Sequence, residues 1–265
     1  RGLAGFKCPR ILLVADTHHL QQPLIGMLRY ATSEPFTRIV LLYDRHHAAI
    51  FRSAGIRNLF WFPGLTFSHS DETVRKARKA APRTARIAFV GQAGKHHPRR
   101  VRLMEAMKRS GVPLAMQPLP QALALGFYGA SLVGFNASLN GDLNLRIFEI
   151  MSSGAALRTD RLAAESGLTQ LFAEGRELIT YGSPAELAEF AAQAIRRPTE
   201  MRKIGSAGER WFDEHFSAAR RQAKFRALAF DGVEAPEFMI PADEKARVFF
   251  AGDTAAQDSG FGVQP

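Results

Sequence analysis

The sequence predicts an α/β protein with two parallel-sheet domains that face each other across a cleft. Short apolar runs alternate with helical patterns twice along the chain, before and after a break at residues 64–86. This alternation is typical of parallel sheets covered by helices. Several of the runs end in a carboxylate or a glycine, as strands do where they meet a ligand crevice. We expect an N-terminal domain over residues 1–75, a second domain over 76–230 and a loosely structured tail over 231–265.

Three apolar runs predict the strands of the first domain, at residues 11–16, 39–44 and 59–63. Helical patterns follow the first two runs, and Gly55 marks the end of the second helix. Three strands are few for a complete domain of this type, and the chain starts with Arg1 rather than with methionine. We therefore expect the N-terminal domain to be incomplete.

The break at residues 64–86 contains Gly, Thr, Ser and His and then a basic stretch, which predicts an inter-domain linker. Residues 119–130 read as irregular or helical, and one or two helices are expected over 199–230. A short element is expected at 245–251. The strands that the pattern predicts after the break lie at residues 87–92, 114–117, 131–136, 155–159 and 178–181.

The composition, with 46% hydrophobic and 23% charged residues, is that of a globular protein. No apolar run is long enough to span a bilayer, and the single cysteine, Cys8, excludes an internal disulfide framework. We therefore expect a cytoplasmic location. The net charge of +10 raises the alternative of a nucleic-acid-binding protein. The cations are dispersed and no nucleic-acid-binding motif accompanies them, which disfavours that partner.

Residues 140–160 read as a loop, a short helix, a glycine stop and a buried strand. Asp142 or Asn144 can cap the helix by accepting a hydrogen bond from its free first-turn N–H groups. Gly154 can end the helix, because glycine adopts the left-handed conformation without steric cost. This order of elements places a helix N-terminus beside a buried strand, where α/β proteins usually hold anionic ligands.

Asn144, Arg146 and Glu149 are the residues of this helix that suit a ligand with a ribose and a diphosphate. A glutamate near a helix start can accept two ribose hydroxyls, and an arginine one turn earlier can bind the diphosphate. The alternative is an exposed Arg–Glu pair on the helix surface, which contributes only a few tenths of a kcal/mol. The spacing alone does not decide between the two.

A glycine and basic loop follows the predicted strand at 87–92. Gly91 permits the backbone to approach a phosphate closely, and Lys95, or Arg99 and Arg100, can balance its charge. The loop matches neither the Walker pattern nor the GxGxxG pattern. A tight turn without a ligand explains the glycines about as well.

Carboxylates and histidines follow the first two predicted strands: Asp16 and His18 after the first, and Asp44 with a pair of histidines after the second. Such a set raises the possibility of a metal site. No H-x-x-x-H or H-E-x-x-H spacing occurs, however, so we expect no bound metal. A histidine at the edge of the cleft that contacts substrate is the better functional interpretation, and loop histidines without a function are the alternative.

With these motifs in view, the chain resembles the GT-B glycosyltransferases, and within them the spore-maturation, CgeB-like branch. That branch has an Asn-x-Arg-x-Phe-Glu helix, a Leu-Phe-x-x-Gly-x-Glu turn and a C-terminal His-x-x-x-x-Arg. The segments that carry the resemblance are 89–91, 144–149 with Gly154, 159–160, 171–177, 186–190, and His215 with Arg220.

The resemblance implies two Rossmann-like domains, with a nucleoside-diphosphate sugar bound mainly by the second one. It assigns the donor ribose to Glu149, the diphosphate to Arg146 and Lys95, and the close backbone approach to Gly91. GT-B enzymes generally need neither a metal nor a cofactor, because cationic side chains and a helix dipole take that part. Many retaining members carry a second glutamate eight residues before the ribose-binding one, and this chain has Gly141 there.

The first hypothesis for function is therefore a glycosyltransferase that moves a sugar from a nucleoside-diphosphate sugar to an unidentified acceptor, a glycan, a protein or a small molecule. Asp16 or His18, at the end of the first strand, would face the donor and position or deprotonate the acceptor. The second hypothesis, from another class, is a catalytically silent module of the same fold that binds a nucleotide sugar or a partner protein. A basic nucleic-acid-binding protein is the third.

Overall fold

The computed structural model describes residues 2–17, 23–79, 82–94 and 97–242. Two separate parallel sheets form its framework, one of three strands and one of five. The prediction of an α/β fold with two parallel sheets is therefore confirmed. His18, Lys95 and the element expected at 245–251 lie outside the described residues.

The first sheet has the strand order β1-β2-β3, with all pairs parallel. Its central strand is apolar, and Val40 and Leu41 are completely buried there. Gly55, with φ of 87°, ends the second helix as predicted. The elements of this part are β1 (Ile11–Val14), α1 (Pro23–Ser33), β2 (Arg38–Leu41), a 3-10 turn (Arg45–His47), α2 (Ala48–Ser53) and β3 (Leu59–Trp61).

The second sheet has the order β5-β4-β6-β7-β8, again with all pairs parallel. Its strands are β4 (Thr84–Val90), β5 (Leu114–Gln117), β6 (Ser131–Phe135), β7 (Ala156–Asp160) and β8 (Leu178–Tyr181). The helices, beginning before the sheet, are α3 (Asp71–Lys79), α4 (Pro98–Arg109), α5 (Gln121–Gly129), α6 (Leu145–Ser153), α7 (Leu168–Leu171), α8 (Pro184–Arg196), α9 (Pro198–Phe216) and α10 (Ala218–Arg226).

The stretch expected to be a linker contains helix α3 and the start of β4. Val74 of α3 is buried, and Arg78 donates to the carbonyl of Ser152 at 2.7 Å. Both outer nitrogens of Arg78 also donate to Asp213 of α9, at 2.8 Å each. The composition of this stretch predicts a linker, but the Arg78 side chain anchors α3 to helices α6 and α9.

Residues 231–242, expected to be loosely structured, pack on the first half of the chain. Phe238 is 1% exposed, and its ring lies edge-on to Phe62 with 4.9 Å between centroids. Arg52 of α2 donates to the carbonyl of Ile240 at 3.0 Å. The buried apolar side chains of Phe238 and Ile240 stabilise this segment in an ordered form. Its content of Pro, Gly and Asp predicts a loose structure, because that composition does not reveal the two apolar contacts.

The two halves of the chain are in direct contact. The backbone N–H of Leu143 donates to the carbonyl of Tyr43 at 3.2 Å, and Arg45 donates to the carbonyl of Ala164 at 3.1 Å. One apolar cluster also extends from the first sheet into α6 and α9. These contacts bring the ends of β1 and β2 close to the loop that leads into α6.

Much of the positive charge is used inside the structure. A guanidinium group that donates to a main-chain carbonyl serves as a structural hydrogen-bond donor and contributes less to a surface field. This distribution weakens the argument from net charge for a nucleic-acid partner. The arginines that donate to carbonyl oxygens include Arg10, Arg38, Arg45, Arg52, Arg78, Arg83, Arg99, Arg100, Arg146 and Arg221.

Candidate active site

Helix α6 begins and ends as its sequence predicts. Asn144 is its N-cap residue, and the side-chain oxygen accepts from the N–H of Arg146 at 3.2 Å. Gly154 ends the helix with φ of 76°. Asp142, the other capping candidate, instead holds the preceding loop: one of its oxygens accepts from the Ser138 hydroxyl at 2.6 Å and from the N–H of Leu139 at 3.1 Å.

Arg146 ties the start of α6 to the carboxyl edge of the second sheet. Its Nε donates to the carbonyl of Val90 at 2.9 Å, and one terminal nitrogen donates to Oδ1 of Asn136 at 2.9 Å. Val90 ends β4 and Asn136 follows β6. The guanidinium carbon also lies 4.8 Å from the centre of the Phe89 ring. These contacts hold the cation in one position at the carboxyl edge of the second sheet.

Gly91 leaves the room that Arg146 occupies. Its φ is 144°, and a Cβ built there would lie 2.9 Å from the second terminal nitrogen of Arg146. A residue with a side chain would therefore be strained at this position and would also push against the guanidinium. The sequence predicts that Gly91 lets a phosphate come close to the backbone. In this structure the group that lies close to the Gly91 backbone is the guanidinium of Arg146.

Arg100, one of the basic residues that the sequence offers to balance the charge of a phosphate, is a second cation at the same edge. It is 8% exposed, and its guanidinium donates to the carbonyl of Ala137 at 3.3 Å. Burial, with the nearby charge of Arg146 as the next cause, lowers the pKa of Arg100 to about 10. Two arginines that repel each other at the end of a sheet make a site that gains from a bound anion.

Glu149 lies one turn after Arg146 and is 8% exposed. Burial raises the pKa of the Glu149 carboxyl, while Arg146 and the side chain of Gln121 oppose that shift. The carboxylate is therefore held in a poorly solvated place next to the cationic site. Such a group would gain from two hydroxyl donors of a ligand, because they would replace the hydration that it has lost.

Asp160, a buried acid at the end of β7, stabilises the loop next to this site. Asp160 contacts Arg99 in an ion pair and accepts from the N–H of Ser138 at 2.5 Å. Burial is the main cause that raises the pKa of Asp160, and the Arg99 charge counteracts it. Arg99 donates in turn to the carbonyl of Ser138 at 3.2 Å. The pair fixes the loop that carries Asn136 and Asp142 towards the cleft.

The first half contributes Asp16 and Tyr43, which follow β1 and β2. The Tyr43 hydroxyl is hydrogen-bonded to Thr66. Burial raises the pKa of the Tyr43 phenol, and the charges of Asp16, Asp142 and Glu149 add to that shift. Tyr43 therefore marks a place where acids of both halves meet. Asp16 is close enough to Tyr43 for its charge to act on that pKa, whereas its predicted companion His18 is outside the described residues.

Asp44, Thr17 and His47 form a buried cluster at the edge of the first sheet. Oδ2 of Asp44 accepts from both the N–H and the hydroxyl of Thr17, at 2.7 Å each. Nδ1 of His47 lies 2.5 Å from the Thr17 hydroxyl oxygen. Within the described ranges, no group of three or more His, Cys, Asp and Glu residues is arranged to hold a metal ion. The cluster fastens the loop after β1 to the turn after β2.

Asn136 and Tyr43 were missed because each comes from a different element and no local motif contains them. Asn136 and Tyr43 do share one signal: each follows or lies at the end of a buried apolar run, where parallel strands meet a crevice.

A family model matches part of the chain. Residues 99–227, which contain Asn136, Arg146 and Glu149, match the model of a family described as glycosyl transferase-like. No curated protein matches the chain in sequence.

Solved structures share the fold at low identity. HepE from Anabaena, in complex with UDP and glucose, is 14% identical with a TM-score of 0.60, and the match covers 83% of this chain and 71% of HepE. A TarM variant from S. aureus, in complex with fondaparinux, alpha-GlcNAc-glycerol and UDP, is 12% identical with a TM-score of 0.60 over 83% and 50%. The pneumococcal O-GlcNAc transferase GtfA, in complex with UDP and GlcNAc, is 11% identical with a TM-score of 0.56 over 83% and 51%.

The chain therefore shares the α/β fold of these solved structures, and the region that holds most of the candidate site matches a glycosyl transferase-like family model. Among the helices that the structure describes, none is both long and apolar enough to cross a membrane.

Proposed function

We propose that this protein is a glycosyltransferase that moves a sugar from a nucleoside-diphosphate sugar to an acceptor. The observation that carries the proposal is the position of Arg146, which bonds to Val90 and Asn136 at the carboxyl edge of the second sheet. Arg100 lies beside it, and the buried Glu149 follows one turn later. The two arginines supply the cations that a diphosphate requires, and Glu149 supplies the acceptor that ribose hydroxyls require.

In the proposed reaction, an acceptor hydroxyl attacks the anomeric carbon of the donor sugar while the bond from that carbon to the diphosphate oxygen breaks. Negative charge develops on the departing diphosphate, where Arg146 and Arg100 stabilise it electrostatically. No step requires a metal or a cofactor. Asp16, on the opposite side of the cleft, positions the acceptor hydroxyl or takes its proton.

Uridine is the donor base to test first, because HepE, the TarM variant and GtfA share the fold and bind UDP. The donor-binding roles of Asn144 and Lys95, the participation of His18, the division into domains and membership of the CgeB-like branch stay predictions. The side-chain oxygen of Asn144 is occupied by the helix cap, which leaves its amide nitrogen for a ligand.

The experiment that tests the proposal measures sugar release from UDP-sugars and sugar transfer to a panel of acceptors by the wild type and by Asp16→Asn. We expect turnover by the wild type, and in Asp16→Asn a kcat that falls by about 10²-fold or more with unchanged UDP affinity.

Binding of UDP without turnover would instead support the second hypothesis, a catalytically silent binding module. One observation favours keeping that hypothesis: the position where many retaining members carry a second glutamate is Gly141, with φ of 79° and no side chain. Failure of the protein to bind any nucleoside diphosphate would contradict both.

A further inference from the structure

We infer that the protein has a second anion-binding site, for a phosphate-bearing ligand, on the outer face of helix α9. A surface pocket of about 540 Å³ lies there. Four cationic side chains and two hydroxyl groups line it, and no carboxylate does among the described residues. The residues that carry the inference are Arg176, Arg202, Lys203 and Arg210, with Thr199 and Ser206.

The arrangement follows from helical spacing. Thr199, Arg202, Ser206 and Arg210 recur every three or four residues along α9, so they form one stripe on the helix surface. Arg176 reaches the same pocket from the turn before β8. A helix face with this spacing is usually a mixture of both charge signs, whereas this one is cationic and concave.

These cations differ from the structural arginines of the fold. Arg202, Lys203 and Arg210 are exposed, and no hydrogen bond or ion pair joins their side chains to another described residue. Arg176 contacts Glu177, whose carboxylate is turned inwards and also accepts from the N–H of Ala173 at 2.8 Å. At least three positive charges in one pocket are therefore left uncompensated by the protein, and an anion would relieve their mutual repulsion.

The chemistry of the lining favours phosphate. Three of the four cations are arginines, whose planar fork matches phosphate oxygens, and the two hydroxyls can donate to the same group. The first turn of α9 adds the positive end of its helix dipole on the Thr199 side of the pocket.

The pocket is separate from the donor site. Gly205 of α9 packs on the start of β7, where its added Cβ would lie 3.0 Å from the N–H of Ala156. Arg176 likewise precedes β8. The pocket is thus at the amino edge of the second sheet, whereas Arg146 and Asn136 are at the carboxyl edge. A strand of this length spans about 16 Å, so a ligand bound here cannot be the reacting group.

The inference goes beyond the proposed function and is tested without a nucleotide, by titration calorimetry of the whole chain with inorganic tripolyphosphate. The variants are Arg202→Gln/Lys203→Gln, the charge-matched control Arg75→Gln/Lys79→Gln on α3, and Arg146→Gln, which removes the cation of the donor site. Unchanged circular dichroism and thermal unfolding would show that each variant is folded.

We expect Arg202→Gln/Lys203→Gln to weaken tripolyphosphate binding at one site by about tenfold or more. The α3 control and Arg146→Gln should retain that site. Equal binding by Arg202→Gln/Lys203→Gln and the α3 control would overturn the inference. Because UDP is absent, this result is independent of whether the protein binds a nucleotide sugar.

A second measurement identifies the source of the phosphate. Co-sedimentation with vesicles of phosphatidylcholine, with and without an equal part of phosphatidylglycerol, compares the same variants. Binding to the anionic vesicles that tripolyphosphate displaces, and that Arg202→Gln/Lys203→Gln loses, would identify a lipid head group as the ligand. Tripolyphosphate binding without vesicle binding would identify a soluble phosphate compound.

Discussion

Arg146 and Asn136 hold each other at the point where two strands of the second sheet end. The guanidinium donates to Oδ1 of Asn136 at 2.9 Å, and Arg146 is at the same time the second residue of α6. Because the helix N-terminus is bonded to the sheet edge in this way, the helix dipole, Arg146 and Arg100 all act on one small volume. The hydrogen bond between Arg146 and Asn136 therefore brings the parts of the proposed donor site together.

Gly91→Ala should weaken UDP binding and reduce stability by about 1–3 kcal/mol. The new Cβ would lie 2.9 Å from a terminal nitrogen of Arg146, at a backbone φ of 144°. Gly94→Ala is the matched control, because it lies in the same loop and its added Cβ meets nothing within 4 Å. Calorimetry with UDP and urea unfolding of both variants would check this. Equal UDP affinity for the two variants would contradict the role of Gly91.

Glu149→Gln should weaken UDP binding by about 1–3 kcal/mol, since ribose hydroxyls would lose an ionised acceptor. The same variant should be at least as stable as the wild type at neutral pH. Burial raises the pKa of Glu149, so its contribution to stability is present in acid and is lost as the pH rises through the raised pKa. UDP affinity of the wild type should correspondingly fall as the pH drops through that pKa.

The control for Glu149 is Glu177→Gln, because Glu177 is also buried, at 5% exposure. Its carboxylate accepts from the N–H of Ala173 and contacts Arg176, so the substitution should destabilise the protein while leaving UDP affinity unchanged. Calorimetry should therefore show a loss of UDP affinity for Glu149→Gln only, and thermal unfolding should show a loss of stability for Glu177→Gln only. A loss of stability without a loss of UDP binding in Glu149→Gln would reject its ribose-binding role.

Glu234→Gln should remove part of the pH dependence of stability. Burial raises the pKa of Glu234 to about 7, against opposing effects of the Trp61 backbone and Arg52. The stability that the neutral carboxyl contributes is fully present below its ordinary pKa and is lost as the pH rises through about 7. The unfolding temperature of the wild type should thus decrease more between pH 5 and pH 8 than that of Glu234→Gln. Parallel pH profiles of the two proteins would contradict this.

Phe238→Ala should destabilise the protein by about 3–5 kcal/mol, because it empties a buried aromatic site between the tail and the first half. The Phe238 ring lies 4.9 Å from that of Phe62 and 6.0 Å from that of Trp61. Phe230→Ala, at a position that is 65% exposed, is the control and should change the free energy of unfolding by well under 1 kcal/mol. Urea unfolding of both variants decides whether the tail is part of the core.

Local signals in the sequence sufficed for the elements around the site. The cap at Asn144, the stop at Gly154 and the strand at 178–181 depend on residues within a few positions of one another. The start of α8 depends on neighbouring residues too: the hydroxyl of Ser183 accepts from the N–H of Glu186 at 3.1 Å. The Glu186 carboxylate, however, accepts from Gly182 rather than from Ser183.

Features that depend on distant partners could not be predicted. The composition of residues 64–86 predicts a linker, whereas helix α3 is held by the bond of Arg78 to Asp213 of α9, a residue far away in the chain. The packing of Phe238 on Phe62 likewise joins residues far apart in the chain. Arg100 and Arg146 lie near each other because the ends of β4 and β6 are neighbours in the sheet. No spacing along the chain predicts this proximity.

The central claim is that Arg146 binds the diphosphate of a nucleotide-sugar donor. Its test is calorimetry with UDP and with uridine on Arg146→Gln and on the control Arg86→Gln, whose guanidinium also lies 4.8 Å from an aromatic ring centre but at the opposite end of β4. We expect Arg146→Gln to lose about tenfold or more in UDP affinity with uridine binding unchanged, and Arg86→Gln to bind UDP as the wild type does. Equal UDP affinity of the two folded variants would contradict the account.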